Sequence, residues 1–380
     1  KTQYEELKGA FKGRKSLLAF AIKSNSNLSI IKHFAALGSG ADCVSIGEVR
    51  RAFLAGVPNY KIIFSGVGKS DDEIREAIER DILYINVESE AELGRVELIA
   101  KELGAKCRIS VRVNPNIDPK THPYISTGLH DNKIGVEIDA AKRMYIRANN
   151  SEHLDPVGIH FHIGSQLTEL EPIYESAVIV ADLVRSLQSI KIELKFFDIG
   201  GGLGVVYKDE TTINPYDYAQ AILGALKGLD LTVVSEPGRF LTANGGYFLT
   251  KVLYEKKNGE KRFVVVDGAM NDLLRPSLYK AYHRIEAITQ SQTEMSEADV
   301  VGPVCESGDF FAKNYPLPIL EHNDLLVIHS AGAYGFGMGS NYNTRGRSAE
   351  VAISEGKAKL IRRREEFEDL IALEKEYLDN

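Results

Sequence analysis

The stretch Tyr84-Ile85-Asn86-Val87-Glu88-Ser89-Glu90-Ala91-Glu92-Leu93 opens with a short strand-like run and passes into a helical pattern that continues to Leu103. This strand-then-helix unit recurs on both sides. Strand-like runs fall at residues 17–23, 41–45, 62–65, 84–87, 108–114, 158–164, 196–200 and 231–235, eight in all, with helical patterns such as 71–79 between most of them. Repeated βα units predict parallel strands. Eight of them fit a closed (β/α)8 TIM-like barrel better than an open doubly wound sheet. After about residue 243 the texture changes. Residues 247–254, 262–266, 324–329 and 349–353 read as strands with few helices between them, and 362–378 has a helical pattern. The expectation is a barrel over residues 1–245 followed by a β-rich domain over 246–380.

Bulk properties narrow the function. A chain of 380 residues suits two domains. Its net charge of −7 speaks against non-specific nucleic-acid binding, which needs clustered Lys and Arg. The three cysteines, Cys43, Cys107 and Cys305, are widely spaced and form neither a zinc pattern nor a disulfide framework, which points to a reducing cytoplasm. No apolar run approaches the roughly 20 residues that span a membrane, and no signal peptide is visible. The chain opens at Lys1 without a Met, so a native N-terminal segment is expected to precede it.

Chemistry in such barrels sits where strands end. Lys23 closes the first strand-like run, Phe20-Ala21-Ile22-Lys23. A lone strand-end lysine is usually just solvated; the functional alternative is a Schiff-base lysine. Gly200-Gly201-Gly202-Leu203-Gly204 follows the seventh run. Glycine runs are often plain turns, but loops after strands seven and eight commonly bind phosphate in barrels, where bare backbone N–H groups approach an anion closely. A dinucleotide-binding reading is weaker, because the run does not open the first βα unit. Gly66-Val67-Gly68-Lys69-Ser70 fails as a nucleoside-triphosphate loop, since Ile63 stands where the first glycine is required.

His160 and His162 flank Phe161 and, on one strand, would face the same way. Such a pair can hold a metal, although further ligands at later strand ends are not evident. Glu236-Pro237-Gly238-Arg239 ends the eighth run; it is either a surface pair or a carboxylate set to hold a cofactor ring nitrogen. Cys305 alone reads as a small core residue. Residues 330–343, rich in Gly and Ala, read as a close-packed loop.

Together these pieces resemble the fold-type III pyridoxal-phosphate decarboxylases, whose (β/α)8 barrel precedes a β domain. The resemblance covers nearly the whole chain. It rests on Phe20-Ala21-Ile22-Lys23-Ser24-Asn25, His160-Phe161-His162-Ile163-Gly164-Ser165-Gln166, Asp198-Ile199-Gly200-Gly201-Gly202 and Glu236-Pro237-Gly238-Arg239. The branch acting on meso-diaminopimelate is the most similar. Its segments are Asn114-Pro115 leading to His122-Pro123-Tyr124-Ile125-Ser126-Thr127-Gly128, then Arg275-Pro276-Ser277-Leu278-Tyr279, Cys305-Glu306-Ser307-Gly308-Asp309, and Gly332-Ala333-Tyr334-Gly335 with Ser340-Asn341-Tyr342-Asn343. Gly337 and Gly339 depart from the family's usual serines, and the family's strand before the first helix is missing.

The resemblance implies pyridoxal 5'-phosphate as cofactor, bound covalently by Lys23. It implies Glu236 on the pyridine nitrogen, His162 on the ring face, and Ser165, Gly200, Gly201, Gly202 and Gly238 around the phosphate, with Arg239 and Tyr334 also at the cofactor. For the substrate's far end it implies Arg239, Arg275, Tyr279 and Tyr334, with Glu306 on the distal ammonium. Cys305 would return the proton. The resemblance also implies a homodimer whose Cys-Glu loop reaches the partner's site. Two rival readings stand beside this one: the same fold acting on ornithine or arginine, and a metal-dependent barrel hydrolase built on His160 and His162. A catalytically dead binding homologue is opposed by retention of Lys23, His162, Glu236 and Cys305.

Overall fold

The computed structural model describes residues 1–118, 133–288 and 294–378. The segment His122–Gly128 quoted above lies outside them. The chain divides into two compact units, one of Lys1–Val206 with Glu210–Leu241, the other of Tyr207–Asp209 with Thr242–Asn380.

In the first unit a short helix, α1 (Thr2–Ala10), precedes eight parallel strands that close into a barrel in chain order. These are β1 (Ser16–Ala21), β2 (Gly40–Cys43), β3 (Ile62–Phe64), β4 (Tyr84–Val87), β5 (Cys107–Arg112), β6 (Leu154–His160), β7 (Phe196–Asp198) and β8 (Thr232–Ser235). All eight expected runs are strands, and β8 pairs with β1 to complete the ring. The connecting helices are α2 (Leu28–Ala36), α3 (Ile46–Leu54), α4 (Asp71–Glu79), α5 (Glu90–Glu102), α6 (Ile138–Asn150), α7 (Glu171–Ser189) and α8 (Pro215–Ala225), and α9 (Arg239–Thr242) follows β8. Local chemistry starts several of them. Ser45, Ser70 and Ser89 each accept the N–H of a glutamate three residues on, and Ser70 with Glu73 forms a full capping box.

Alternate strand residues face opposite ways. Leu18, Phe20 and Ile22 join helix residues such as Ile31 and Phe34 in the outer core. Ala19, Ile63, Tyr84, Val157 and Val234 form a separate cluster with Leu17 and Phe196, which fills the barrel interior. Near-continuous apolar runs are what strands buried on both faces require.

Two strand ends differ from the sequence reading. Strand β1 stops at Ala21, and Lys23 sits in a single 3-10 turn, Ile22–Ser24. Strand β6 stops at His160, so His162 lies beyond it.

The second unit holds a six-stranded sheet in the order β11-β14-β9-β10-β12-β13. Its strands are β9 (Phe248–Asn258), β10 (Lys261–Val266), β11 (Ile285–Ala287), β12 (Ser296–Val301), β13 (Phe310–Leu317) and β14 (Leu325–Ile328). Only β10 and β12 pair in parallel. A hairpin of β15 (Glu350–Ser354) and β16 (Lys357–Arg362) follows, then α11 (Phe367–Lys375). The helical reading of 362–378 therefore began one strand end too early, and β11, β12, β13 and β16 were not anticipated. One turn of helix, α10 (Arg275–Tyr279), precedes β11. Residues 330–343 form no strand and contain only short 3-10 turns.

Lys69 shows why the rejected nucleotide motif is structural. Its side chain is 1% exposed, and its amine bonds the carbonyls of Gly66 and Asn86 at 2.6 and 2.7 Å and Glu92 at 2.6 Å. Removing one partner strands a buried charge. Lys69→Met should therefore lower unfolding stability in urea by about 3–5 kcal/mol; an unchanged midpoint and slope would refute the pair's role.

Candidate active site

Closure of the barrel joins the four motifs. The Ala21 N–H donates to the carbonyl of Pro237 at 3.1 Å, so the Lys23 turn rests on the segment 236–239. Gly238 fits tightly there, since a Cβ would stand 3.0 Å from Ser24 Cβ and 3.1 Å from Ala21 Cβ and its neighbours would have to give way. The Glu236 N–H donates to the Gly200 carbonyl at 2.7 Å, which ties the glycine run to the same point. A Cβ on Gly201 would sit 2.3 Å from the Glu236 carbonyl oxygen, so only glycine permits this approach. Gly200 packs against His162, and Gly202 against Gly164 and Leu167. Ser165 accepts from Arg239 Nη2 at 2.8 Å, and Gln166 brackets Val205 with both ends of its amide. Nine of the fourteen expected site residues lie on these elements, and the other five, Arg275, Tyr279, Cys305, Glu306 and Tyr334, lie in the second unit.

The charges follow from this crowding. Lys23 Nζ lies 2.8 Å from Asp42 Oδ2; the lysine side chain is 39% exposed and the aspartate fully buried. Burial, with Glu236 nearby, pushes the Asp42 carboxyl up, and Lys23 offsets part of that. Glu236 is buried too, and burial alone would raise it. The charge and hydrogen bond of His160, whose Nε2 stands 3.1 Å from Glu236 Oε2, together with the charge of Lys23, reverse this and hold it at about 2. Asp198 goes the other way. Burial and the adjacent Glu236 raise it far above the usual carboxylate range, although the Gly200 N–H and the Tyr84 hydroxyl donate to it at 3.0 and 2.8 Å. Two neighbouring carboxyls in a dry site oppose each other's ionisation, and here Asp198 is the one pushed towards its protonated form. Burial and the Arg112 guanidinium press His162 well below the usual imidazole range, so it is neutral.

Sequence reasoning missed Asp42, Asp198, Tyr84 and Arg112 as members of the site. The available signal was a charged or phenolic residue inside a strand buried on both faces. It also judged metal ligands absent from later strand ends. In fact His160, Asp198 and Glu236 offer ligand atoms within 4.8 Å of one another. Their hydrogen bonds to one another, to Tyr84 and to Gly200 already engage most of these atoms, which disfavours a metal.

Among the described residues Glu236 Oε1 is buried without a hydrogen-bond partner, as are Asp42 Oδ1 and His160 Nδ1. An ionised, half-satisfied carboxylate beside a lysine amine and a glycine cradle fits the protonated ring nitrogen of pyridoxal phosphate.

The family described as "Pyridoxal-dependent decarboxylase, pyridoxal binding domain" matches residues 1–243. The diaminopimelate decarboxylase of Campylobacter jejuni is 62% identical over 379 residues, covering 100% of this chain and 94% of that protein. The chain belongs to the diaminopimelate decarboxylase family of pyridoxal-dependent decarboxylases. The Helicobacter pylori (strain 26695) relative is 56% identical, again over 100% of this chain and 94% of its own length. The crystal structure of the Helicobacter pylori enzyme complexed with L-lysine superposes with a TM-score of 0.97 at 56% identity, covering 99% of this chain and 94% of that one.

The family's other diagnostic segments lie in the second unit. Ser277 Oγ of α10 donates to the Gly308 carbonyl at 2.5 Å, joining the Arg275–Tyr279 turn to the Cys305–Asp309 loop. Asp309 shapes that loop from within, accepting from Met270 N at 2.7 Å and Val304 N at 2.8 Å. The Cys305 N–H donates to Asn343 Oδ1 at 2.8 Å, while the Cys305 and Glu306 side chains are exposed. Arg275 is buried and Tyr279 half-buried, on one helical turn as their spacing suggested. Tyr334 is half-buried with φ of 55°.

The protonated state of Asp198 can be tested without cofactor. A raised folded pKa gives stability that is full below the unfolded value, near 3.8, and is lost as pH rises through the folded value. Asparagine does not titrate. The stability of Asp198→Asn relative to the native protein should therefore improve as pH rises above about 4 and level off once Asp198 ionises in the folded protein. Thermal unfolding of the cofactor-free proteins from about pH 4 to 8 measures it, and a flat difference would contradict the assignment.

Proposed function

We propose that this chain decarboxylates meso-2,6-diaminopimelate to L-lysine and CO2, the last step of lysine synthesis, with pyridoxal 5'-phosphate as cofactor. The observation that carries this reading is the ionised, buried Glu236 with one oxygen left over beside Lys23 and the glycine cradle. Full-length likeness to diaminopimelate decarboxylases supports the choice of substrate.

When bound, pyridoxal phosphate supplies an electron sink for the pair released as CO2 leaves. Lys23 would hold the cofactor through its amine, which must be exchangeable with the substrate's. Asp42 beneath it fixes the amine's position while leaving the side chain partly open to solvent. Glu236 would keep the ring nitrogen protonated. His162, neutral, would lie against the ring without adding a competing charge. The N–H groups at Gly200, Gly201, Gly202 and Gly238 and the Ser165 hydroxyl would receive the phosphate, Arg239 beside them adding a cation. Tyr334 would complete the cofactor contacts.

The substrate's far end carries a carboxylate and an ammonium. Arg239, Arg275 and Tyr279, with Tyr334, would take the carboxylate and Glu306 the ammonium. Cys305 Sγ would deliver a proton to the carbon that loses CO2, a step suited to a thiol acid. Ornithine and arginine lack the distal carboxylate that two arginines would serve. Proton delivery to carbon needs shelter from water, yet Cys305 and Glu306 are exposed in the single chain. Leu249, Val351, Ile353, Leu360, Phe367 and Leu373 of the same unit are also exposed. Both facts favour a twofold homodimer that covers this surface and shares its sites. No described helix is long and apolar enough to cross a membrane. The free thiols suit a cytoplasmic enzyme.

Release of CO2 from a panel of meso-diaminopimelate, ornithine, arginine and lysine, with the cofactor present, decides the substrate. Preference for ornithine or arginine would overturn the reading. Within it, Glu306→Gln should lower the specificity constant for meso-diaminopimelate about ten- to a hundredfold, the loss of one charged hydrogen bond, with cofactor affinity retained. An equal loss of cofactor affinity would assign Glu306 elsewhere.

Shared sites predict complementation. Lys23→Ala and Cys305→Ala should each be inactive or nearly so alone. Subunit exchange in an equal mixture makes about half the dimers mixed, each with one intact site, so activity should return to about a quarter of the native level. With both residues drawn from one chain, every site keeps a lesion. Absence of recovery, once labelled subunits are seen to exchange, would sink the shared-site arrangement.

A further inference from the structure

Arg275 does not stand by itself in the second unit. Its guanidinium Cζ lies 4.4 Å from the centroid of the Tyr207 ring, and its Nη1 lies 2.9 Å from His283 Nε2. Tyr207 and His283 meet edge to face, with centroids 5.4 Å apart and planes at 77°. His283 is 1% exposed, and its other ring nitrogen, Nδ1, lies 2.9 Å from the His329 carbonyl oxygen.

Donor and acceptor rules leave one arrangement. A guanidinium only donates, so His283 Nε2 must present its lone pair. A carbonyl only accepts, so Nδ1 must carry the hydrogen. Both contacts are met together only by the neutral Nδ1–H tautomer. The His329 carbonyl is itself fixed, because His329 N donates to the Arg284 carbonyl at 2.9 Å and Ile285 pairs with Ile328 where β11 meets β14. The ring is thus anchored to the sheet edge, and it holds one terminal nitrogen of Arg275 while Tyr207 supports the guanidinium face. An arginine side chain free to rotate loses conformational entropy each time it binds an anion; one held in this way has lost it already.

We infer that His283 is a positioning residue: it aims Arg275 at the carboxylate of the substrate's unreacted end and so separates ligands that carry that carboxylate from diamines that lack it. This rests on the reading of Arg275 as a carboxylate-binding residue. His283 itself touches neither substrate nor reacting atoms.

The test uses the purified holoenzyme and two competitive inhibitors that differ in one group, L-lysine, which keeps the carboxylate, and 1,5-diaminopentane, which has none. His283→Asn places its amide near the position of Nδ1, so it can still reach the His329 carbonyl but loses the acceptor for Arg275. His283→Gln can place an oxygen near the position of Nε2. In His283→Asn, inhibition by L-lysine should weaken about tenfold or more, the scale of one lost charged hydrogen bond, while inhibition by 1,5-diaminopentane stays unchanged. KM for meso-diaminopimelate should rise by a similar factor with a smaller change in kcat. His283→Gln should recover most of the discrimination. Equal weakening of both inhibitors, or of neither, would overturn the inference, as would failure of His283→Gln to exceed His283→Asn. Arg275→Met separates the two levels of the argument. If it weakens L-lysine selectively and His283→Asn does not, only the role of His283 falls. If it does not discriminate between the inhibitors, the reading of Arg275 falls, and the role of His283 with it.

Discussion

A carboxylate kept ionised in full burial is the constraint around which the barrel mouth is arranged. Burying an unpaired charge is prohibitively costly, and the usual outcome is neutralisation. Glu236 escapes that outcome because His160 donates to one of its oxygens and Lys23 adds its charge. Asp198, its neighbour, is pushed up by burial and by Glu236, against the Tyr84 hydroxyl and the Gly200 N–H, which donate to it and favour its ionised form. The same Gly200 presents its carbonyl to the Glu236 N–H. The glycine run, the interior phenol and the eighth strand end are therefore one hydrogen-bonded network around Glu236, whose charge is held by His160 and Lys23. A change at Tyr84, deep in the barrel, would reach the site through Asp198 without any contact to a ligand.

Strands buried on both faces were legible because such burial demands near-continuous apolar runs, as at residues 17–22 and Ile62–Phe64. Their ends were less so. Lys23 and His162 each follow an apolar run, and nothing in residue type says whether the backbone there is still extended. The strands missed in the second unit are short, polar or edge strands. Ile285–Ala287 spans only three residues and lies at one edge of the sheet; Phe310–Leu317 lies at the other and carries Pro316 and a left-handed Asn314. An edge tolerates a proline that an inner strand would not. Packing supplied those strands, and local pattern could not.

The site divides in the same way. Residues announced by backbone demands, the glycines at 200–202 and Gly238, were readable because few other residues survive such close approaches. Residues that act through charge coupling were not. Asp42, Asp198 and Arg112 look like ordinary members of their strands until the barrel closes and sets them against Lys23, Glu236 and His162. Their meaning lies in pairs separated by many residues, which a linear reading does not bring together.

The loop 330–343 shows how strain and close packing divide the work between neighbouring residues. At position 339, where the family resemblance leads to the expectation of a serine, a Cβ would stand 2.7 Å from the Asn271 carbonyl oxygen, so the chain's path needs the glycine it has. Gly339 is therefore a point of tight packing, and its lack of a side chain does not loosen the loop. Five residues earlier the opposite choice holds. Tyr334 occupies the left-handed region at φ of 55°, where glycine would sit without cost and a tyrosine pays for its Cβ. A backbone that removes side chains wherever space is short, yet keeps a large one where conformation argues against it, retains that side chain for what it contacts. Backbone geometry thus marks Tyr334 as a residue kept for its side chain.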